Sequence, residues 1–169
     1  MLEFGTDNYE VTELSRLAPF VLSINDNGNN ELRIVIALAR TGSSEEQENS
    51  LPDDDPKLRE LLLRAKPVYE DMNRVYEILF ESYIIYECRN ESYTSLDNRE
   101  IYRGKYLVIY EKSFLLDYYE NVIDDFDFDS EKSNRRHYGI ITENHIIDVI
   151  SNEPPVIRKI RADRETADH

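Results

Sequence analysis

The chain has one cysteine, no tryptophan, five glycines and six prolines in 169 residues. A single thiol, Cys88, excludes an intramolecular disulfide and fits a reducing compartment. Cys88 falls on the apolar side of an alternating run, which predicts a buried structural cysteine rather than a reactive one. The glycines stand singly at positions 5, 28, 42, 104 and 139, so no glycine-rich loop is available to cradle a phosphate. Neither a GxSxG elbow nor a catalytic-cysteine signature nor an HExxH pair occurs. No apolar run is long enough for a membrane-spanning helix. The opening MLEFGTDNYE has neither the basic nor the apolar stretch of an export signal, so a cytoplasmic protein is expected. Positive charge is scarce as well. Twenty Lys and Arg face thirty-five Asp and Glu, a net charge of −15, and repulsion from phosphate argues against a nucleic-acid partner.

What is present is enough for one soluble domain. With 40% hydrophobic and 33% charged residues, the composition is that of a folded chain able to bury a single core. The stretch Val75 to Tyr93 is dense in Val, Ile, Phe and Tyr and free of Gly and Pro, and it alternates at the period of a strand. It is read as the central strand of a sheet, with a bend, bulge or split because it exceeds the usual strand length. Segments 20–24 and 31–40 flank the turn DNGNN and form a hairpin. The second arm is apolar on both faces and belongs inside the sheet. Residues 101–111 form another strand with Gly104 as a bulge, paired antiparallel to the central strand. Residues 137–151 form a hairpin about a turn at 142–144. Helical spacing predicts helices over 6–17, 55–67 and 112–123. The fold expected is α+β: a single domain with a largely antiparallel β-sheet and two or three helices packed on it. Its bounds are 1–157, with an acidic flexible loop at 41–56, and residues 158–169 form a tail that frays or adds a short edge segment.

Several residue patterns could carry chemistry. Asp125, Asp127 and Asp129 begin like a calcium loop, but Ser130 and Arg136 stand where glycine and a bidentate glutamate are required. His137 and His145 lie about 26 Å apart along one strand, or face each other if the hairpin brings them across. No metal and no cofactor is expected. Arg89, Asn90, His145 and Asp148 mark a possible ligand pocket where strands turn polar at a sheet end. Residues 117–131 hold seven carboxylates and no Lys or Arg, with aromatic side chains among them. Asp117, Tyr118, Tyr119, Glu120, Asp124, Asp125, Asp127 and Asp129 are the expected partner-binding residues. Tyrosine anchors interfaces and carboxylates steer a basic partner toward them. The function expected is an acidic protein-binding inhibitor of the immunity-protein or antitoxin type, occluding a basic enzyme such as a nuclease and having no catalysis of its own. The alternative is a small-molecule-binding or enzymatic domain using the Arg89, Asn90, His145 and Asp148 pocket.

Overall fold

The computed structural model describes residues 2–6, 17–43, 57–58, 67–94, 97–122 and 134–161. Nine strands are described, in two antiparallel sheets. The first sheet has the order β1 (Phe20–Asp26), β2 (Leu32–Thr41), β3 (Val68–Phe80), β9 (Val156–Ile160). The second has the order β4 (Ile85–Asn90), β8 (His145–Ser151), β7 (Arg136–Ile141), β6 (Leu107–Lys112), β5 (Ile101–Arg103). One helix, α1 (Phe114–Val122), is described besides a single 3-10 turn at Glu91–Tyr93.

This corrects the expected α+β fold. The apolar face of each sheet is covered by the other sheet, not by two or three helices. Leu32, Ile34, Ile36, Leu38, Tyr76, Ile78 and Phe80 from the first sheet pack in one core with Leu107, Tyr138, Ile140, Ile147 and Val149 from the second. The result is a β-sandwich, the arrangement reached when two amphipathic sheets bury their inner faces on each other. Of the helices expected, 6–17 and 55–67 lie largely outside the described residues, and residues 57–58 are helical. No described helix is long and apolar enough to cross a membrane.

The supposed central strand is two strands in different sheets. β3 ends at Phe80, residues 81–84 cross the sandwich, and β4 starts at Ile85. The crossing is fixed from outside: Tyr83 N–H donates to the Asn30 carbonyl (2.9 Å) and Ile84 N–H to that of Ile150 (2.8 Å). The chain returns to the first sheet between β8 and β9, and Ser151 ties the two crossings together. Its Oγ donates to the Ser82 carbonyl (2.7 Å) and accepts from Glu153 N–H (3.2 Å). The pair Pro154–Pro155 therefore precedes a strand rather than ending the core, and the expected tail begins as edge strand β9 on β3.

Strand 101–111 is likewise two strands. Gly104 sits at φ +95, where a Cβ would stand 2.6 Å from the Leu107 carbonyl oxygen, and it serves the β5–β6 turn rather than a bulge. β5 and β6 pair with each other and β6 with β7, whereas β4 takes β8 as its neighbour. The other two hairpins form as their turn residues dictate. Asp26 Oδ1 and Asn27 Oδ1 accept from Gly28 and Asn29 N–H, closing the β1–β2 turn. At the β7–β8 tip, the Asn144 side chain pairs with both backbone groups of Val21 in β1, joining the two sheets.

Candidate functional site: a buried polar chain under helix α1

The outer face of the second sheet carries a connected set of polar side chains. The β7–β8 register sets Gly139 opposite Asp148 and His137 opposite Ile150, so His137 and Asp148 are diagonal neighbours on one face. His137 Nε2 lies 2.8 Å from Asp148 Oδ1, and His137 Nδ1 lies 2.7 Å from Ser113 Oγ. Asp148 Oδ2 accepts from Arg89 Nη2 at 2.5 Å, and Glu87 lies 3.1 Å from Arg89 Nε. Ser113, His137 and Asp148 are all 1–2% exposed. A carboxylate paired with Arg89 accepts, so His137 Nε2–H is the donor to Asp148 Oδ1, and Nδ1 shares the second bond with the Ser113 hydroxyl. Ser113 Oγ also accepts from Leu116 N–H (3.1 Å). The chain of bonds ends at the first turn of α1, which Ser113 caps.

Two rings complete the assembly. Tyr110 stacks on His137 with centroids 4.1 Å apart, and Tyr102 meets Tyr110 edge-on at 5.3 Å. Burial and the neighbouring Asp148 carboxylate hold the Tyr110 hydroxyl well above its usual pKa, so it stays protonated. Burial works against the charge of Arg89, yet Asp148 and Glu87 keep its pKa above the usual guanidinium value. Ser, His and Asp in hydrogen-bonded sequence resemble a hydrolytic relay in composition, but Ser113 is 2% exposed and engaged as a helix cap. What the arrangement does in the folded chain is hold the start of α1 on the sheet.

Gly139 makes the close approach possible. A Cβ there would stand 2.7 Å from both Tyr110 Cε2 and Val108 Cγ2, side chains that are themselves buried. Gly139→Ala is expected to destabilise the fold by about 2 kcal/mol, because neither neighbour has space to yield. Urea denaturation measures the loss, and near-ultraviolet circular dichroism should report the displaced Tyr110.

α1 itself is amphipathic. Leu115 and Tyr119 are buried against Ile150, with Leu116 half-buried beside them. Phe114 and Tyr118, one helical turn apart, are 44% and 54% exposed, and Asp117, Glu120 and Asn121 are exposed with them. The Arg99 guanidinium lies over the Phe114 ring at 4.6 Å and pairs with Asp97. Of the residues expected to bind a partner, Asp117, Tyr118 and Glu120 thus share the solvent side of α1. Tyr119 is a core residue. Asp124, Asp125, Asp127 and Asp129 lie outside the described residues.

The four residues of the expected pocket separate into two pairs. Arg89 and Asp148 bind each other on the outer face, whereas Asn90 pairs in register with His145 and falls on the opposite face of β4. His137 and His145 begin successive strands and stand opposite Ile150 and Asn90, so the hairpin does not bring them together. Sequence reasoning joined Asp148 to His145, while its partner is His137. Ser113, Tyr110 and Gly139 were not singled out at all. A turn at 142–144 would set Ile141 opposite His145 and put His137 and Asp148 on opposite faces. Instead Thr142 pairs with His145 (N–H to carbonyl, 2.9 Å), and that one-residue difference sets His137 diagonal to Asp148. Cys88, expected to be buried, is exposed near the end of β4, and partial burial of its thiol, with Asp148 nearby, pushes its pKa up. Among the described residues no group of three or more His, Cys, Asp or Glu is placed to hold a metal ion. Comparison with protein-family models, with characterised proteins and with solved structures finds no match.

Proposed function

We propose that the chain is a cytoplasmic, acidic protein-binding inhibitor of the immunity-protein or antitoxin kind, which occludes a basic partner enzyme such as a nuclease. The observation that carries this reading is the outer side of α1. Phe114 and Tyr118 are presented to solvent beside Asp117 and Glu120, on a helix sealed to the sheet by Leu115 and Tyr119. The acidic run 124–131 follows directly. Exposed aromatic rings supply the desolvation that anchors a protein interface, and carboxylates around them draw in a basic surface and repel phosphate. A helix face laid on a partner is a common recognition mode. The Ser113 cap fixes that face before the partner arrives, which lowers the ordering cost of docking. No catalysis and no cofactor belong to the proposal. The alternative pocket has less support, because Arg89 and Asp148 satisfy each other and lie on the opposite face from Asn90 and His145.

The test is capture from the native host at low salt (about 50 mM) and high salt (about 0.5 M), followed by activity assays of the captured enzyme. One basic enzyme should be retained at low salt, released at high salt, and inhibited at equal stoichiometry. Replacing both Phe114 and Tyr118 with Ala should weaken that complex about 30-fold or more, the loss of at least one interface hot spot. A captured enzyme that remains fully active, or binding indifferent to the double substitution, would overturn the reading.

A further inference from the structure

On the inner side of the second sheet, near the edge strands β5 and β9, the sandwich holds a half-open cleft of about 480 Å³. This lies within the size range of small-molecule sites. Its floor is apolar: Phe4 of the amino-terminal segment, Ile109 of β6, Tyr138 of β7 and Ile157 of β9. Register places two guanidiniums on the same face as that floor. Arg103 stands opposite Ile109 on β5, and Arg136 precedes Tyr138 by two residues on β7. Each is therefore one strand spacing (about 4.8 Å) or one side-chain repeat (about 6.6 Å) from a floor residue. Both line the cleft.

These arginines differ from others in the chain. Arg33, Arg74, Arg89 and Arg99 pair with Glu77, Asp71, Asp148 and Asp97. Among the described residues, neither Arg103 nor Arg136 has a carboxylate partner. Arg103 donates one bond, to the Gly5 carbonyl at 3.2 Å, and keeps its other N–H groups. In a chain of net charge −15, two such cations above an apolar floor are a site for a negative group attached to an apolar body. Glu3 also lines the cleft and works against a second negative charge.

We propose that this cleft binds a small amphipathic monoanion: an aliphatic or aromatic body against Phe4, Ile109, Tyr138 and Ile157, and one carboxylate at Arg103 and Arg136. The apolar body supplies affinity by leaving water, and the guanidiniums select the charged end through charge-assisted hydrogen bonds. The site is separate from the outer face of α1 and does not depend on the inhibitor reading.

The experiment titrates the full-length chain with sodium decanoate, 1-decanol and sodium acetate, following Phe4, Ile109 and Tyr138 by nuclear magnetic resonance. Decanoate should give saturable shifts at all three positions, with 1-decanol and acetate each at least about 10-fold weaker. Arg136→Gln, at an exposed position, should weaken decanoate about 10-fold. Arg158→Gln on β9, outside the cleft, should leave the affinity unchanged. Decanol binding as tightly as decanoate would overturn the proposal, because the wild-type cleft would then be reading only apolar surface. So would non-saturable shifts, or an Arg136→Gln variant with unaltered affinity.

Discussion

Phe80→Ala is expected to lower the free energy of unfolding by about 4 kcal/mol, the largest single loss foreseen here. Phe80 ends β3 and is 1% exposed. Its ring meets Tyr138 of the opposite sheet at 5.6 Å and Phe4 at 6.4 Å, both edge-on, and Phe4 meets Tyr138 at 5.2 Å. Three rings thus close a triangle between the two sheets and the amino-terminal segment. Truncation removes a full aromatic side chain from water-free packing and leaves a space that rigid strands cannot fill. It also removes two ring pairs, each worth about 0.5–1.5 kcal/mol beyond area. Urea denaturation with an unchanged slope would establish the loss as one of native-state packing. A loss below about 1 kcal/mol would mean that the sheets do not meet at these rings.

Asp148→Ala is expected to cost about 3 kcal/mol. The carboxylate is 1% exposed and serves both His137 Nε2 and Arg89 Nη2, so its removal leaves a buried imidazole N–H without an acceptor. The figure is at the low end for a broken buried pair because the Arg89 side chain is 40% exposed and can turn to water. Glu87→Ala makes the control. It touches the same guanidinium from a side chain 42% exposed, and should change stability by no more than about 0.5 kcal/mol. Amide exchange in the first turn of α1 should quicken in Asp148→Ala and stay unchanged in Glu87→Ala, since only the former loosens the His137–Ser113 cap. Equal losses in the two variants would contradict the buried chain of bonds described above.

Local features were readable without coordinates, and features fixed at a distance were not. The β1–β2 and β7–β8 hairpins follow from turn residues beside alternating apolar runs, and α1 follows from its helical spacing. The length of the run 75–93 predicts a bend, bulge or split, but nothing marks its place at 81–84, which contains neither Gly nor Pro. Its bend is held by Asn30, Ile150 and Ser151, residues distant in the chain. Keeping the whole run in one sheet gives the wrong architecture: one sheet needs helices to cover it, whereas halves in different sheets allow two sheets that cover each other. The polar chain was hidden for a related reason. Asp148 and Arg89 were recognised together, but the second partner of Asp148 comes from another strand, and only the strand register selects His137 over His145. The exposed side of α1 was partly legible, since Asp117, Tyr118 and Glu120 do face water. A periodic pattern does not say which of two adjacent tyrosines turns inward, and Tyr119 is the one that does.

The double crossing clasped by Ser151 bears on how the chain folds. β3 waits for β9 and β4 waits for β8, partners about 55 to 85 residues later in the chain. Loop closure over such spans must precede the contacts that reward it, which places this topology among the slow folders, on the millisecond-to-second scale. During that interval two apolar strands keep unsatisfied edges, and the half-made protein is most vulnerable to sticking to its neighbours.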